Sequence, residues 1–335
     1  MNMVNNEMLL SIIIPVYNVE PYLKECLDSI FVHQKISHEI EVIAVNDGST
    51  DGSGDILNEY KKQYDFILFE QDSSGPGGAR NTAIKAARGK YLLFVDSDDY
   101  LVPGSLDQLL SYLAKTDADL IEFNYEVLDL AEPKLKLKDE IPAVLSGSGQ
   151  EVFCSWERSG FYRPVVWTKA ISRKMVVLNE LYFYPRIYHQ DEEWSPRVFA
   201  YAGRVCYLPL MLYVYRIREG SNMSKKTRKH YADMLIVVDS LWKFVSSENL
   251  SLQYIRSLQR YVSFLYFSMI KGIRISGEYD LHLISELEKR KFLIKFSEDL
   301  HRKYFYRYLI NILGIKFFYT FKYSLEHFLN HASPR

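Results

Sequence analysis

GKYLLFVDSDDYL, residues Gly89–Leu101, decides how the chain around it folds. Tyr91–Val95 is a short, wholly apolar run, the mark of a strand buried on both faces inside a parallel sheet. It ends in three carboxylates, Asp96, Asp98 and Asp99, with Ser97 between the first two. Like charges this close at a strand tip are costly unless a cation sits among them. Hard oxygen donors with no Cys or His nearby suit Mg2+ or Mn2+, ions that keep positions open for phosphate oxygens. The plainer alternative is that these residues cap the next helix, with Pro103 in its first turn. Capping accounts for one Asp and leaves two unexplained, so the pattern favours a metal–phosphate site.

Working outward, Leu9–Val16 (LLSIIIPV) predicts a first buried strand, with Pro15 tolerated only near its end. A helix follows over about Pro21–His33, with Leu23, Leu27, Ile30 and Phe31 at helical spacing. Ile40–Val45 predicts a second buried strand, closed by the turn Asn46–Ser53, and a helix over roughly Gly54–Tyr64. Phe66–Phe69 predicts a third strand. The glycine-rich Ser73–Gly78 then leads into a helix over Ala79–Ala87, and Tyr91–Val95 is the fourth strand. Strand and helix alternating through short links predict an α/β fold with a doubly wound, mainly parallel sheet. Ligands of such sheets sit beyond the carboxyl ends of the strands, where this chain carries Tyr17, Asp47 and Asp96–Asp99. Gly75–Arg80 departs from G-x-G-x-x-G at its last position and follows the third strand, and no P-loop pattern occurs.

Further along, a helix is expected over Pro103–Lys115 and a strand over Asp119–Val127. Leu128–Gln150 reads as a surface excursion. Tyr188–Trp194 (YHQDEEW) opens a helix to about Ala202, and Val205–Leu208 and Met211–Ile217 read as two strands. From Lys225 the text becomes amphipathic helices, about His230–Ser246, Leu252–Ile273 and shorter ones to His327. Phe305–Phe328 interleaves aromatics with Arg307, Lys316 and Lys322. Two domains are therefore expected, 1–224 and 225–335.

The net charge of −1 hides an asymmetry: residues 225–335 hold 19 Lys+Arg against 10 Asp+Glu, and those before them 22 against 32. A basic, aromatic tail suggests core packing, a homodimer contact or a peripheral membrane contact through these helices. The three cysteines, Cys26, Cys154 and Cys206, form neither a disulfide framework nor a zinc spacing, which fits a reducing cytosol. Met8–Ile14 has no basic lead and is broken by Pro15, so no signal peptide is expected, and no run is long enough for a transmembrane helix. No nucleic-acid partner is expected.

Five stretches, in order, resemble the family-2 inverting glycosyltransferases of GT-A fold, above all bacterial capsule and exopolysaccharide enzymes. They are Ser11–Ile30 (SIIIPVYNVEPYLKECLDSI), Val45–Ser53 (VNDGSTDGS), Gly77–Asp99, Asp191–Trp194 (DEEW) and Tyr215–Ser221 (YRIREGS). The tail beyond Lys225 is outside the resemblance. What it implies is a UDP-sugar donor and a glycan or lipid-linked sugar acceptor; the cysteines and the tail add the expectation of a cytoplasmic location with a peripheral contact on the inner face of the membrane. The resemblance implies Pro15, Val16 and Tyr17 beside the uracil, Asp47 accepting from the uracil N–H, and Arg80 near the nucleotide-sugar. Asp96 and Asp98 become the D-x-D pair around Ser97, with Asp98 the direct metal ligand and Asp96 nearer the ribose. Asp191 becomes the catalytic base, with Trp194 helping to wall an acceptor pocket. Trp167, Lys169, Arg216, Arg218 and Ser221 are candidates for diphosphate or acceptor contact, since guanidinium pairs bidentately with phosphate.

Two other classes compete. A sugar nucleotidyltransferase would need a glycine-rich basic loop after the first strand, where this chain has Tyr17–Tyr22 (YNVEPY). A non-catalytic scaffold relative is suggested by Gln190, which stands where the family commonly has Glu.

Overall fold

The computed structural model describes residues 8–131, 134–138, 141–218, 227–247, 249–276, 281–296 and Ile315. The chain divides into two compact units, Met1–Asn222 and Met223–Arg335.

The first unit is built on strands β1 (Leu10–Val16), β2 (Ile40–Asn46), β3 (Ile67–Glu70) and β4 (Tyr91–Phe94), joined by α1 (Glu20–Phe31), α2 (Ser53–Gln63) and α3 (Gly75–Ala86). β1 runs parallel to both β2 and β4, and all seven of its residues are buried. An uninterrupted apolar strand has no solvent face, so it settles at the centre with helices above and below. Then come β5 (Tyr100–Leu101), α4 (Ser105–Leu113), β6 (Leu120–Asp129), β7 (Lys134–Lys138), β8 (Ser146–Gly147), α5 (Gly149–Ser159), β9 (Lys169–Ser172), α6 (Arg173–Leu178), α7 (Gln190–Tyr201) and β10 (Val205–Ile217). The sheet order is β3-β2-β1-β4-β9-β6-β10-β5, with β7 on β6 and β8 on β10. β10 is parallel to β6, whereas β9 lies antiparallel between β4 and β6. The outcome is the expected α/β sheet, parallel through its first four strands and mixed beyond them.

Several boundaries differ from the sequence reading. α3 begins at Gly75, so the glycine-rich stretch is its first turn and not a loop before it. α4 begins at Ser105 behind a left-handed Gly104, which leaves Pro103 outside the helix. The two strands expected around Pro209 are one strand, β10, with register shifts between Leu208 and Tyr213. Proline has no N–H for the ladder, so the strand survives there only as an irregularity. The Leu128–Gln150 excursion contains β7 and β8.

β9 is pinned by an ion pair that sequence alone did not suggest. Glu122 and Lys169 are register partners across β6 and β9, 3.1 Å apart, both buried. Lys169 Nζ also donates to the carbonyls of Arg163 (2.7 Å) and Val165 (2.6 Å), and Thr168 Oγ1 donates to Glu122 Oε1 at 2.8 Å. Burial pushes both groups toward their neutral forms, and the pairing opposes it.

In the second unit, α8 (Arg228–Phe244), α9 (Leu252–Ser276) and α10 (Leu281–Lys289) are followed by a 3-10 turn, Lys291–Phe296. Tyr231, Val238 and Leu241 of α8 and Leu258, Val262 and Tyr266 of α9 are buried, so these amphipathic faces are used in helix packing. The Phe305–Phe328 pattern lies outside the described residues. No helix among the described residues is long and apolar enough to cross a membrane.

Removing one partner of a buried pair strands the other charge. Lys169→Met should therefore cost about 3–5 kcal/mol in urea denaturation. Glu122→Gln combined with Lys169→Met should recover much of that loss.

Candidate active site

The loops after β1 and β2 are latched together. Asn18 Oδ1 accepts from Thr50 N–H (2.8 Å), Ser53 Oγ accepts from Val19 N–H (3.0 Å), and Asp51 Oδ2 accepts from Glu20 N–H (3.0 Å). In return Gly52 N–H donates to Glu20 Oε2 at 2.8 Å, and a Cβ on Gly52 would meet that carboxylate at 2.6 Å. The start of α1, which lacks a cap on its own strand, is thus satisfied from the next loop. Pro15 and Val16 are buried at the end of β1, and Tyr17 is half exposed beside them.

Asp47 sits at the end of β2, almost wholly buried. Its Oδ1 accepts from Gln71 Nε2 (2.6 Å), Ser74 N–H (2.9 Å) and Ser74 Oγ (3.1 Å). Its Oδ2 accepts from Gly75 N–H (2.8 Å) and Ser73 Oγ (3.2 Å). The carboxylate thereby caps α3 from the end of the strand next to β3, since Gly75 is the first residue of that helix.

At the tip beyond β4 each carboxylate is neutralised differently. Asp96 pairs with Arg80 of α3, a buried arginine whose guanidinium lies 5.5 Å from the Phe183 ring centre. Burial pushes the Asp96 carboxyl up, Arg80 opposes this, and the charges of Asp98 and Asp191 add to it. Asp98 Oδ2 accepts from Arg218 Nε at 2.8 Å. Asp99 is buried and takes neutral donors, Tyr213 OH (2.7 Å) and Arg216 N–H (2.8 Å). Burial, then Asp98 and Asp96, push its carboxyl well above the usual range. The Tyr213 hydroxyl also accepts from Asp96 N–H at 3.1 Å, so one phenol ties the acidic turn to β10. Ser97 is buried inside the turn.

Arg216 and Arg218 close the α1 side. Arg216 Nη2 donates to Glu25 Oε2 (2.8 Å), and its guanidinium lies 5.1 Å from the Tyr22 ring and 5.3 Å from the Tyr100 ring. Arg218 stands 5.0 Å from the same Tyr22 ring. Ser221 lies outside the described residues. Tyr22, Glu25 and Tyr213 escaped the sequence reading. Tyr22 and Glu25 share a helix face, a spacing that marks the pair once β10 is known to end there.

Asp191, Glu192 and Glu193 occupy the first turn of α7. Glu193 turns inward to Arg197 (2.7 Å), leaving Asp191 and Glu192 half-buried toward solvent. Asp191 is near enough to the strand tip for its charge to act on both Asp96 and Lys169. Gln190 is buried, and a Cβ on Gly77 would overlap its Oε1 and stand 2.9 Å from the backbone carbonyl of Tyr184, so the close approach here is made at a glycine. Asn81 secures the contact: its Nδ2 donates to Phe183 O, and Phe183 N–H donates to its Oδ1, both at 2.8 Å.

Three expected contacts lie elsewhere. Lys169 is wholly buried in the Glu122 network, where its ammonium has no phosphate to reach. Trp167 is buried and stacked on Tyr213 (4.6 Å) and Tyr215 (5.4 Å), behind the tip and not in the cleft. Trp194 is fully buried, stacked on Phe183 at 4.2 Å with its indole N–H donating to Leu181 O. It is a core wedge under α7, not a wall of an acceptor pocket.

A doubly wound sheet with an acidic tip at its carboxyl edge and a second acid on a facing helix is the architecture of GT-A glycosyltransferases. The chain belongs to glycosyl transferase family 2, whose family model matches residues 11–157. EpsH of Bacillus subtilis (strain 168), which is named as a glycosyltransferase, is 30% identical over 256 residues, 75% of this chain and 73% of EpsH. Glycosyltransferase GlyA of Streptococcus pneumoniae serotype 4 (strain ATCC BAA-334 / TIGR4) is 30% identical over 298 residues, 85% of this chain. The chain spans 41% of GlyA's length. Among solved structures, residues 1–349 of S. aureus TarS in complex with UDP-GlcNAc superpose with a TM-score of 0.71 at 20% identity, covering 96% of this chain and 92% of that one.

Among the described residues no group of three or more His, Cys, Asp or Glu side chains is arranged to hold a metal ion. Two carboxylates, Asp96 and Asp98, remain at the tip, and they suit a Mg2+- or Mn2+-type ion that takes its other oxygens from phosphate and water.

Tyr213→Phe removes the hydroxyl that serves both Asp96 and Asp99. It should cost about 1–3 kcal/mol, the penalty for a buried acceptor losing its donor, read as a lowered urea midpoint at unchanged m-value.

Proposed function

We propose that this chain transfers a hexosyl or N-acetylhexosaminyl unit from a UDP-sugar to a hydroxyl of a glycan or lipid-linked acceptor in surface-polysaccharide synthesis. The observation that carries the reading is the Asp96–Asp98 tip, matched to Arg80 and Arg218, with Asp191 standing across from it on α7. A TarS structure of the same fold holds UDP-GlcNAc, which supports a uridine nucleotide donor. The enzyme is read as cytoplasmic, working at the inner face of the membrane.

In this mechanism the base lies against Pro15–Tyr17, with the Asp47-capped turn at Ser73–Gly75 beneath it. Asp98 and Asp96 would hold Mn2+ or Mg2+, which when bound supplies positive charge against the leaving diphosphate. Arg218 exchanges Asp98 for a diphosphate oxygen, and Arg80 and Arg216 add fixed positive charge from behind. Asp191 takes the proton of the acceptor hydroxyl as it attacks the anomeric carbon. The start of a twelve-residue helix favours a negative charge at that position. A single displacement inverts the anomeric centre, and no covalent nucleophile is needed.

The decisive experiment is UDP release by the full-length protein, with sugar nucleotides and divalent cations varied. Asp98→Ala should abolish metal-dependent UDP affinity in calorimetry while leaving the thermal unfolding midpoint near wild type. GDP binding tighter than UDP, or no UDP release from any UDP-sugar, would overturn the reading. Asp191→Asn keeps the side-chain oxygen and should retain donor binding, yet lose transfer by several orders of magnitude; Glu192→Gln should stay near wild type. The reverse pattern would move the base to Glu192.

A further inference from the structure

At the end of the sheet opposite the acidic tip lies a second concavity, about 440 Å³, lined by Arg88, Lys90, Arg173, Lys174, Val177 and Leu178. Four of these six residues are cations and none is an acid. Tyr91 and Ser172 are register partners, so the start of β4 and the end of β9 lie side by side and bring the two basic pairs together. Arg173 N–H donates to Lys90 O (3.0 Å) and Arg173 Nε to Gly89 O (2.9 Å), which fixes the two segments against each other. Arg88 Nε pairs with Glu41 (3.0 Å), whose side chain is 6% exposed, while the Arg88 side chain is 67% exposed. The charge on the groove surface is therefore strongly positive.

α6 sets an apolar lip beside these cations. Met175 and Val176 point into the core, whereas Leu178 is 70% exposed and Val177 37% exposed. A pocket for a discrete phosphate would surround the anion with buried donors. An open basic groove edged by protruding aliphatics has instead the composition of surfaces that adsorb to anionic lipid, where cations meet headgroup phosphates and aliphatics enter the acyl boundary.

We propose that this groove docks the catalytic unit on an anionic phospholipid bilayer, with Arg88, Lys90, Arg173 and Lys174 on headgroup phosphates and Leu178 inserted beneath them. This docking stands apart from the glycosyl-transfer reading, because none of its residues belongs to the cleft. It turns the acidic tip to the far side of the sheet, toward the aqueous end of a membrane-anchored glycan.

The test is flotation of the full-length protein with phosphatidylcholine vesicles, with and without phosphatidylglycerol. Binding is expected only with phosphatidylglycerol and should fall as salt rises. Each cation contributes about five-fold to partitioning, so Lys90→Glu with Lys174→Glu should lower it by at least about 25-fold. Leu178→Ser should lower it several-fold. UDP release in solution and the unfolding midpoint should stay at wild-type values in all three substitutions, which separates this test from the activity. The proposal is overturned if the wild type does not float, or if the double charge reversal floats as the wild type does, which would assign binding to another surface such as the basic tail. It is overturned too if Leu178→Ser has no effect, as for a groove that binds a soluble polyanion. Release by inorganic phosphate at constant ionic strength would instead mean a discrete anion pocket, and would equally overturn it.

Discussion

Three carboxylates within four residues at the end of a buried strand impose the constraint from which the rest of the first unit follows. Each must be matched, and each is matched by a different element. α3 supplies Arg80 to Asp96, the residue after β10 supplies Arg218 to Asp98, and Asp99 receives only neutral donors from β10. A carboxylate buried without partners is prohibitively costly, so α3 and β10 have little freedom in where they end. The neutral ligation of Asp99 sets it apart from Asp96 and Asp98, each of which is paired with a guanidinium.

The same economy joins the two sides of the cleft. Gly75–Ala86 carries Arg80 toward the tip, offers its first N–H to Asp47, and through Asn81 grips Phe183 in the loop before α7. Phe183, held by Asn81, lies under the Arg80 guanidinium and stacks on Trp194. Arg80 of α3 and Trp194 of α7 are thus parts of one packed block. A bulkier residue at position 77 would strain that block, because the backbone carbonyl of Tyr184 lies 2.9 Å from where its Cβ would stand.

Much of this was legible in the residues. The buried runs of β1, β2 and β4, the acidic turn and the DEEW helix start carry patterns strong enough to read without coordinates. What stayed hidden depends on distant pairing. Lys169 looked like a phosphate ligand because a lysine among aromatics is indistinguishable on paper from one facing a cleft; its partner Glu122 is 47 positions away on another strand. Trp167 and Trp194 were misplaced for the same reason, since large aromatics line pockets and fill cores with equal ease. The Ser73–Gly78 stretch suggested a loop because glycines weaken isolated helices, and tertiary contacts overrode that preference. Asp47 follows the end of β2, where the strand pattern put it, but its five internal donors come from residues that only the folded turn assembles.

The long reach of β10 also has a temporal side. Arg80 meets Asp96 across 16 positions and Asp47 finds its donors within 28, whereas Asp99 waits for Tyr213 and Arg216, 114 and 117 positions downstream. During synthesis at about 5–20 residues per second, those partners emerge roughly 6–25 s after the acidic turn itself. Through that interval β1 can pair with β2 and β4 and Arg80 can meet Asp96, while Asp99 has neither of its donors. A chain stopped before Tyr213 would therefore carry β1 to β4 with neither donor of Asp99 in place.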